Sequence, residues 1–299
     1  MDTRWLARLP QACPEVAVRY DEPLAEHVSF RVGGPAAAMA FPADVAQLRA
    51  LLAFCREEGL TPRLLGAGTN VLPPDEGVDT LVICLLGGLT ALRREGDELV
   101  VGAGVPMARA AVFACEAGLT GLEFAHGIPG SMGGGICMNA GAYGGELCQV
   151  AVETAALRGG RVETVRGGAQ GFGYRTSAFQ DGTSVVVETR LRLAPGDPAA
   201  IRARMQELSA RRRASQPLNL PSAGSTFKRP AGGYAAALID GAGLKGLRVG
   251  GASVSEKHAG FVVNDGGATC ADILALIAEI RRRVYDDSGI LLEPEVRIW

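Results

Sequence analysis

Residues 121–145 read GLEFAHGIPGSMGGGICMNAGAYGG, and ten glycines fall between Gly118 and Gly145, too many to be explained by turns alone. A glycine lets the backbone approach a flat or phosphorylated ligand, and its bare N–H then serves as a donor to that ligand's oxygens. Ser131, Asn139 and Tyr143 add polar side chains to the same belt. A second glycine loop, LLGAGTNVL at 64–72, lies upstream, and the two loops suit the flanks of one long cofactor. The residues that follow it argue against a Rossmann turn. There the glycines open a helix whose N-terminus meets the pyrophosphate, whereas Val71-Leu72-Pro73-Pro74 follow here, and two prolines do not fit inside a helix. For this upstream loop a phosphate-cradling backbone nest and a plain strand-to-strand turn both stay open.

Composition narrows the class. The chain has 41 glycines among 299 residues, about twice the roughly 7% that is usual, without the Gly-X-Y period of collagen. It is 47% apolar and 21% charged, as a globular chain is, and its length suggests two domains. Thirty Lys+Arg against 32 Asp+Glu leave a net charge of -2, so no basic field is available for a nucleic-acid backbone. The seven cysteines are scattered, with no C-x-x-C pair, and the three histidines lie far apart. Reduced core thiols are expected, with no metal site. The opening MDTRWLARLP is charged and lacks a long apolar core, and the belt is too rich in glycine to span a bilayer. The expected setting is the cytoplasm.

Periodicity places the elements. Asp44 and Gln47 resemble a capping box before a helix over 45–58 that stops at Gly59. Strands are expected at 80–84, 98–102 and 184–193, with a helix from Pro106 through Glu116. Pro195-Gly196-Asp197-Pro198 breaks the chain before a helix of about 199–212, which reads as a domain junction. Beyond it, a short helix around 233–240 and strands near 247–254 and 260–264 form a smaller lobe. Its last helix starts at Thr269 and Asp272, with Ile273, Leu276, Ile277, Ile280 and Val284 on one apolar face.

Eight motifs in order carry a resemblance: HVSFRVGGPA (27–36), LGAGTNVL (65–72), the belt (121–144), FGYRTSAF (172–179), PSAGSTFKRP (221–230), LIDGAGLKG (238–246), GGASVSEKHAGFVVN (250–264) and LEPEVR (292–297). Through them the chain resembles the UDP-N-acetylenolpyruvoylglucosamine reductase family nearly end to end. The resemblance implies an α+β fold. Its FAD-binding body would have two α+β subdomains of the vanillyl-alcohol-oxidase (PCMH) type, joined to a smaller α+β substrate-binding lobe. The boundaries expected are 1–80 and 81–200 for the FAD subdomains and 201–291 for the substrate domain, with the strand at 292–299 returning to the first subdomain.

The family also implies FAD, held through Gly66, Ala67, Gly68, Thr69 and Asn70 of the first loop. The belt would contribute Gly127, Ile128, Pro129, Gly130, Ser131, Gly133, Gly134, Asn139, Gly141 and Ala142, with Arg31 beside them. No histidine stands in Gly68-Thr69-Asn70, so the flavin is expected to be non-covalent. NADPH would reduce it, and the reduced flavin would pass hydride to the enolpyruvyl double bond of UDP-N-acetylglucosamine enolpyruvate. By the same resemblance Arg175 meets the enolate-like charge, Ser225 supplies the proton, and Glu295 is the catalytic acid, with Glu293 as its nearby alternative. Tyr174, Arg213, Lys228, Lys257 and His258 are the implied substrate contacts, one of the arginines 211–213 taking the diphosphate. Phe179 runs within a few residues into the strand at 184, so the chain resembles the shorter branch of the family, which lacks a tyrosine-bearing loop there. The expected partners are these small molecules, with no nucleic acid and no membrane, and the chain is expected to be a monomer. Two other readings compete: a flavin oxidase acting on a sugar or alcohol, and a non-catalytic nucleotide-binding module.

Overall fold

The computed structural model describes residues 4–299. The chain opens with helix α1 (Trp5–Ala12), strands β1 (Ala17–Pro23) and β2 (Pro35–Phe41), and helix α2 (Val45–Glu57). Strands β3 (Arg63–Leu65), β4 (Val71–Leu72), β5 (Val78–Cys84), β6 (Leu92–Glu95) and β7 (Glu98–Gly102) follow. Helices α3 (Met107–Glu116) and α4 (Met132–Met138) precede β8 (Ala151–Arg158), β9 (Arg161–Arg166), β10 (Val185–Arg192) and helix α5 (Pro198–Ser215). The last stretch holds α6 (Ala235–Gly241), β11 (Arg248–Val249), β12 (Ala252–Val254), β13 (Val262–Asn264), α7 (Cys270–Ser288) and β14 (Arg297–Ile298).

These elements make two compact units. One takes in the described residues of Met1–Tyr20 with Ala38–Ala67 and Asp79–Arg212; the other is Asp21–Ala37, Gly68–Val78 and Arg213–Trp299. The first unit carries a four-stranded sheet in the order β1-β2-β5-β3 and a five-stranded antiparallel sheet in the order β9-β8-β10-β7-β6. In β10, Leu191 is buried and Arg192 exposed, the alternation of a strand with one face on the core. Helix α4 packs on β10 and on β7. Helix α2 begins where Asp44 accepts from the Gln47 N–H at 2.9 Å, as expected, and Gln47 Oε1 accepts from Ala43 one residue before the cap.

In the second unit, β11-β12-β13 form an antiparallel sheet. Helix α7 starts in a capping box of Thr269 and Asp272 and buries Ile273, Leu276, Ile277, Ile280 and Val284, the face read from its spacing. Strand β14 pairs in parallel with β4, and Phe227 bridges Pro294.

Two elements depart from the sequence reading. The strand expected over 247–254 is broken into β11 and β12. The break occurs where Gly250 takes φ +53° and Asp272 lies so close that a Cβ would stand 2.1 Å from its Oδ1. The belt is also not loop throughout, because α4 forms inside it. Ser131 caps this helix through Gly134 N–H, and Asn139, left-handed at φ 43°, ends it.

Candidate active site

In the first unit Gly66, at the head of the upstream loop, meets the belt. The upstream loop leaves the C-terminal end of β3, which runs parallel to β5. A Cβ built on Gly66 would lie 2.4 Å from Ser131 Oγ, so only glycine allows the loop to touch the belt there. The backbone N–H groups of Gly66, Ala67, Gly127 and Gly130 donate to no other described residue. Unpaired amides on two converging loops are what a diphosphate and flavin-ring oxygens require, so the residues fit FAD. Gly133 differs from them. Its N–H donates to Ala103 O at 2.9 Å, and its own Cβ would fall 2.9 Å from Ala103 Cβ, so that glycine is needed for packing.

Asn139 is buried, and the protein uses its whole carboxamide. The nitrogen donates to Glu146 Oε2 and to Gly173 O, both at 3.0 Å, and the oxygen accepts from Cys148 N–H at 2.9 Å. The bond to Gly173 fastens the tight turn 173–176, closed by reciprocal backbone bonds between Gly173 and Thr176. Arg175 sits on that turn with φ +56°, a conformation that costs a non-glycine residue energy and is held by its surroundings. The Arg175 guanidinium lies 5.1 Å from the Tyr174 ring centroid and donates to Gly141 O at 3.4 Å. The belt therefore positions Arg175.

In the second unit, Glu295 N–H donates to Thr226 O at 2.8 Å and Lys228 N–H to Glu293 O at 2.9 Å. This short antiparallel register puts the Ser225 and Glu295 segments side by side. Asn70, which belongs to the same unit, donates through Nδ2 to Glu295 O at 3.2 Å. Glu293, the alternative acid, is exposed and ion-paired to Lys228. Lys257 Nζ is bonded to Arg213 O at 2.5 Å, and Arg213 itself is exposed. His258 Nδ1 accepts from Gly260 N–H at 3.1 Å, which leaves the proton of the neutral ring on Nε2, and burial lowers its pKa. Arg31 is exposed and left-handed at φ 56°.

A loop-borne cradle of this kind on an α+β body defines an FAD-binding oxidoreductase, and the family described as FAD binding domain matches residues 36–166. The chain belongs to the UDP-N-acetylenolpyruvoylglucosamine reductase family, whose C-terminal domain matches residues 216–299. It is 46% identical over 283 residues to UDP-N-acetylenolpyruvoylglucosamine reductase 2 of Symbiobacterium thermophilum, covering 94% of this chain and 92% of that protein. The solved reductase from Thermus caldophilus superposes with a TM-score of 0.81 at 35% identity, covering 95% of this chain and 99% of that one. A 4-ethylphenol oxidase from Gulosibacter chungangensis shares the fold at a TM-score of 0.50 and 15% identity, covering 65% of this chain and 44% of that one. The activity is the FAD-dependent reduction of UDP-N-acetylglucosamine enolpyruvate in peptidoglycan synthesis, with NADPH as reductant.

Proposed function

We propose that Arg175, Ser225 and Glu295 carry the reduction that yields UDP-N-acetylmuramate. Bound FAD, once reduced by NADPH, supplies the hydride that adds to the terminal carbon of the enolpyruvyl double bond. Negative charge then develops on the carbon beside the carboxylate, and the always-charged fork of Arg175 suits a carboxylate and its enolate form. Ser225 gives its hydroxyl proton to that carbon and regains one from solvent. Glu295 polarises the substrate carboxylate or orients a water. The observation that carries this reading is the register of residues 226–228 on 293–295, which sets the exposed Ser225 beside the Glu295 segment while Glu293 is taken by Lys228.

The cofactor loops with Arg31 beside them, non-covalent FAD, and Tyr174, Arg213, Lys228, Lys257 and His258 as substrate contacts belong to the same proposal. So does the division into FAD subdomains at 1–80 (with 292–299) and 81–200 and a substrate domain at 201–291. The experiment is anaerobic stopped flow on Ser225→Ala. Flavin reduction by NADPH is expected to keep its rate, while flavin reoxidation by the enolpyruvyl substrate slows by about 10²- to 10⁴-fold, the usual weight of a general acid. Reoxidation at the wild-type rate would remove Ser225 from the mechanism. We also propose that the chain works as a cytoplasmic monomer, apart from membranes and nucleic acid. Seven cysteines outside any disulfide and a net charge of -2 support this, and a sedimenting species larger than the 31.0 kDa chain would refute the monomer.

A further inference from the structure

Helix α5 buries Ile201, Met205 and Leu208, and the next position on that stripe is Arg212. The stripe lies against the start of the glycine belt. Ser209, one turn before Arg212, meets His126 Nδ1 at 3.1 Å, and Arg212 Cδ is 3.4 Å from the point where a Cβ would stand on Gly127. The side chain is half-buried, and among the described residues no carboxylate, carbonyl or hydroxyl bonds to its guanidinium. Its neighbour Arg211, by contrast, pairs with Glu207. Burial pushes the Arg212 pKa down. The C-terminal end of α5 favours a cation only weakly. A guanidinium withdrawn from water without an acceptor is costly, and an apolar side chain would complete the stripe better.

We propose that Arg212 is an anion-holding residue of the FAD site and that the bound cofactor is its missing partner. Gly127, over which the side chain lies, belongs to the region that matches the FAD binding domain, which is why the anion is assigned to FAD. FAD offers two such groups. The diphosphate is charged in both redox states, whereas the N1–C2=O edge of the ring gains negative charge only on reduction. The planar fork of an arginine suits either one.

Arg212→Met, which keeps the length and removes the charge, separates the two sources. The readouts are FAD affinity of the apoprotein by fluorescence, midpoint potential of the bound flavin, and the apoprotein's melting temperature. If the diphosphate is the partner, the Kd for FAD rises by about 10- to 100-fold with the potential unchanged. If the ring edge is the partner, the oxidised cofactor binds nearly as before and the potential falls. In both cases the apoprotein melts no lower than wild type, because an uncompensated charge has been removed, and Arg212→Lys lies between. Wild-type affinity and potential overturn the proposal. So does a rise confined to the KM for the sugar nucleotide, which would assign the anion to the substrate, or an apoprotein that melts lower, which would mean the guanidinium has a partner within the protein.

Discussion

Asn139 shows how one side chain can join two parts of a site. Its two donors and its acceptor are all used inside the protein, on Gly173, Glu146 and Cys148, and its backbone takes φ 43°. Truncation to alanine leaves buried groups unpaired and keeps a left-handed backbone without the residue that tolerates it. Asn139→Ala is therefore expected to lose about 2–4 kcal/mol in denaturant unfolding, since each orphaned buried group costs about 1–3 kcal/mol. Asn139→Gly relieves the backbone and not the hydrogen bonds. If it proves as stable as wild type, the carboxamide is not the clamp described. The sequence marked Asn139 as a polar residue in a glycine belt, but residue type alone does not say whether a carboxamide faces a ligand or the protein. Arg212 did leave a trace in the sequence. The positions 201, 205, 208 and 212 follow helical spacing, and a cation in the fourth place breaks an apolar stripe, although a reading of the run Arg211-Arg212-Arg213 as one basic cluster hides it.

At the scale of elements, α4 separates two uses of glycine that look alike in MGGGICM. The Cβ position of Gly133 is 2.9 Å from Ala103 Cβ and that of Gly135 is 2.7 Å from Met107 Sδ, whereas at Gly134 the nearest atom is 3.5 Å away. Gly133 and Gly135 let the helix pack closely, and Gly134 stands on its open side. In the apoprotein, Gly133→Ala is expected to cost about 1–3 kcal/mol by overpacking. Gly134→Ala should be neutral or gain up to about 1 kcal/mol, because alanine is the better helix former. Thermal melts of the two variants decide this, and equal effects would mean that spacing to Ala103 does not govern the site. Amphipathic elements such as α2 and α7 were legible because burial imposes a period on them. A seven-residue glycine helix has no such period, and it is held by Ser131, by Asn139 and by bonds from Met132 and Gly133 to Val105 and Ala103, residues far upstream.

At the scale of the whole molecule, the second unit depends on segments from the other end of the chain. Phe30, Val32 and Leu72 lie in the same buried cluster as Phe227, Ile239 and the inner face of α7. Ser29 Oγ donates to Ser222 O at 2.6 Å, and Asn264 Nδ2 donates to Phe30 O at 3.0 Å. The Asp75 carboxylate accepts from Cys270 and Ala271 at the start of α7 at 2.7 and 2.9 Å. None of this is written in local pattern. Segments 27–36 and 73–77 are too short and too rich in glycine and proline to show a period, and a pairing across two hundred residues leaves no trace in either partner alone. The consequence can be tested. Residues 213–299, expressed alone, lack three core side chains and the carboxylate that caps α7, and are expected to show no cooperative unfolding and no dispersed amide spectrum. In the full chain, Phe30→Ala opens a cavity in that cluster and should cost about 3–5 kcal/mol. Its effect on melting should exceed that of any exposed substitution in the same segment, such as Arg31→Ala. A fragment 213–299 that folds cooperatively, or a Phe30→Ala protein that melts like wild type, would show that the C-terminal residues hold their core without the N-terminal ones.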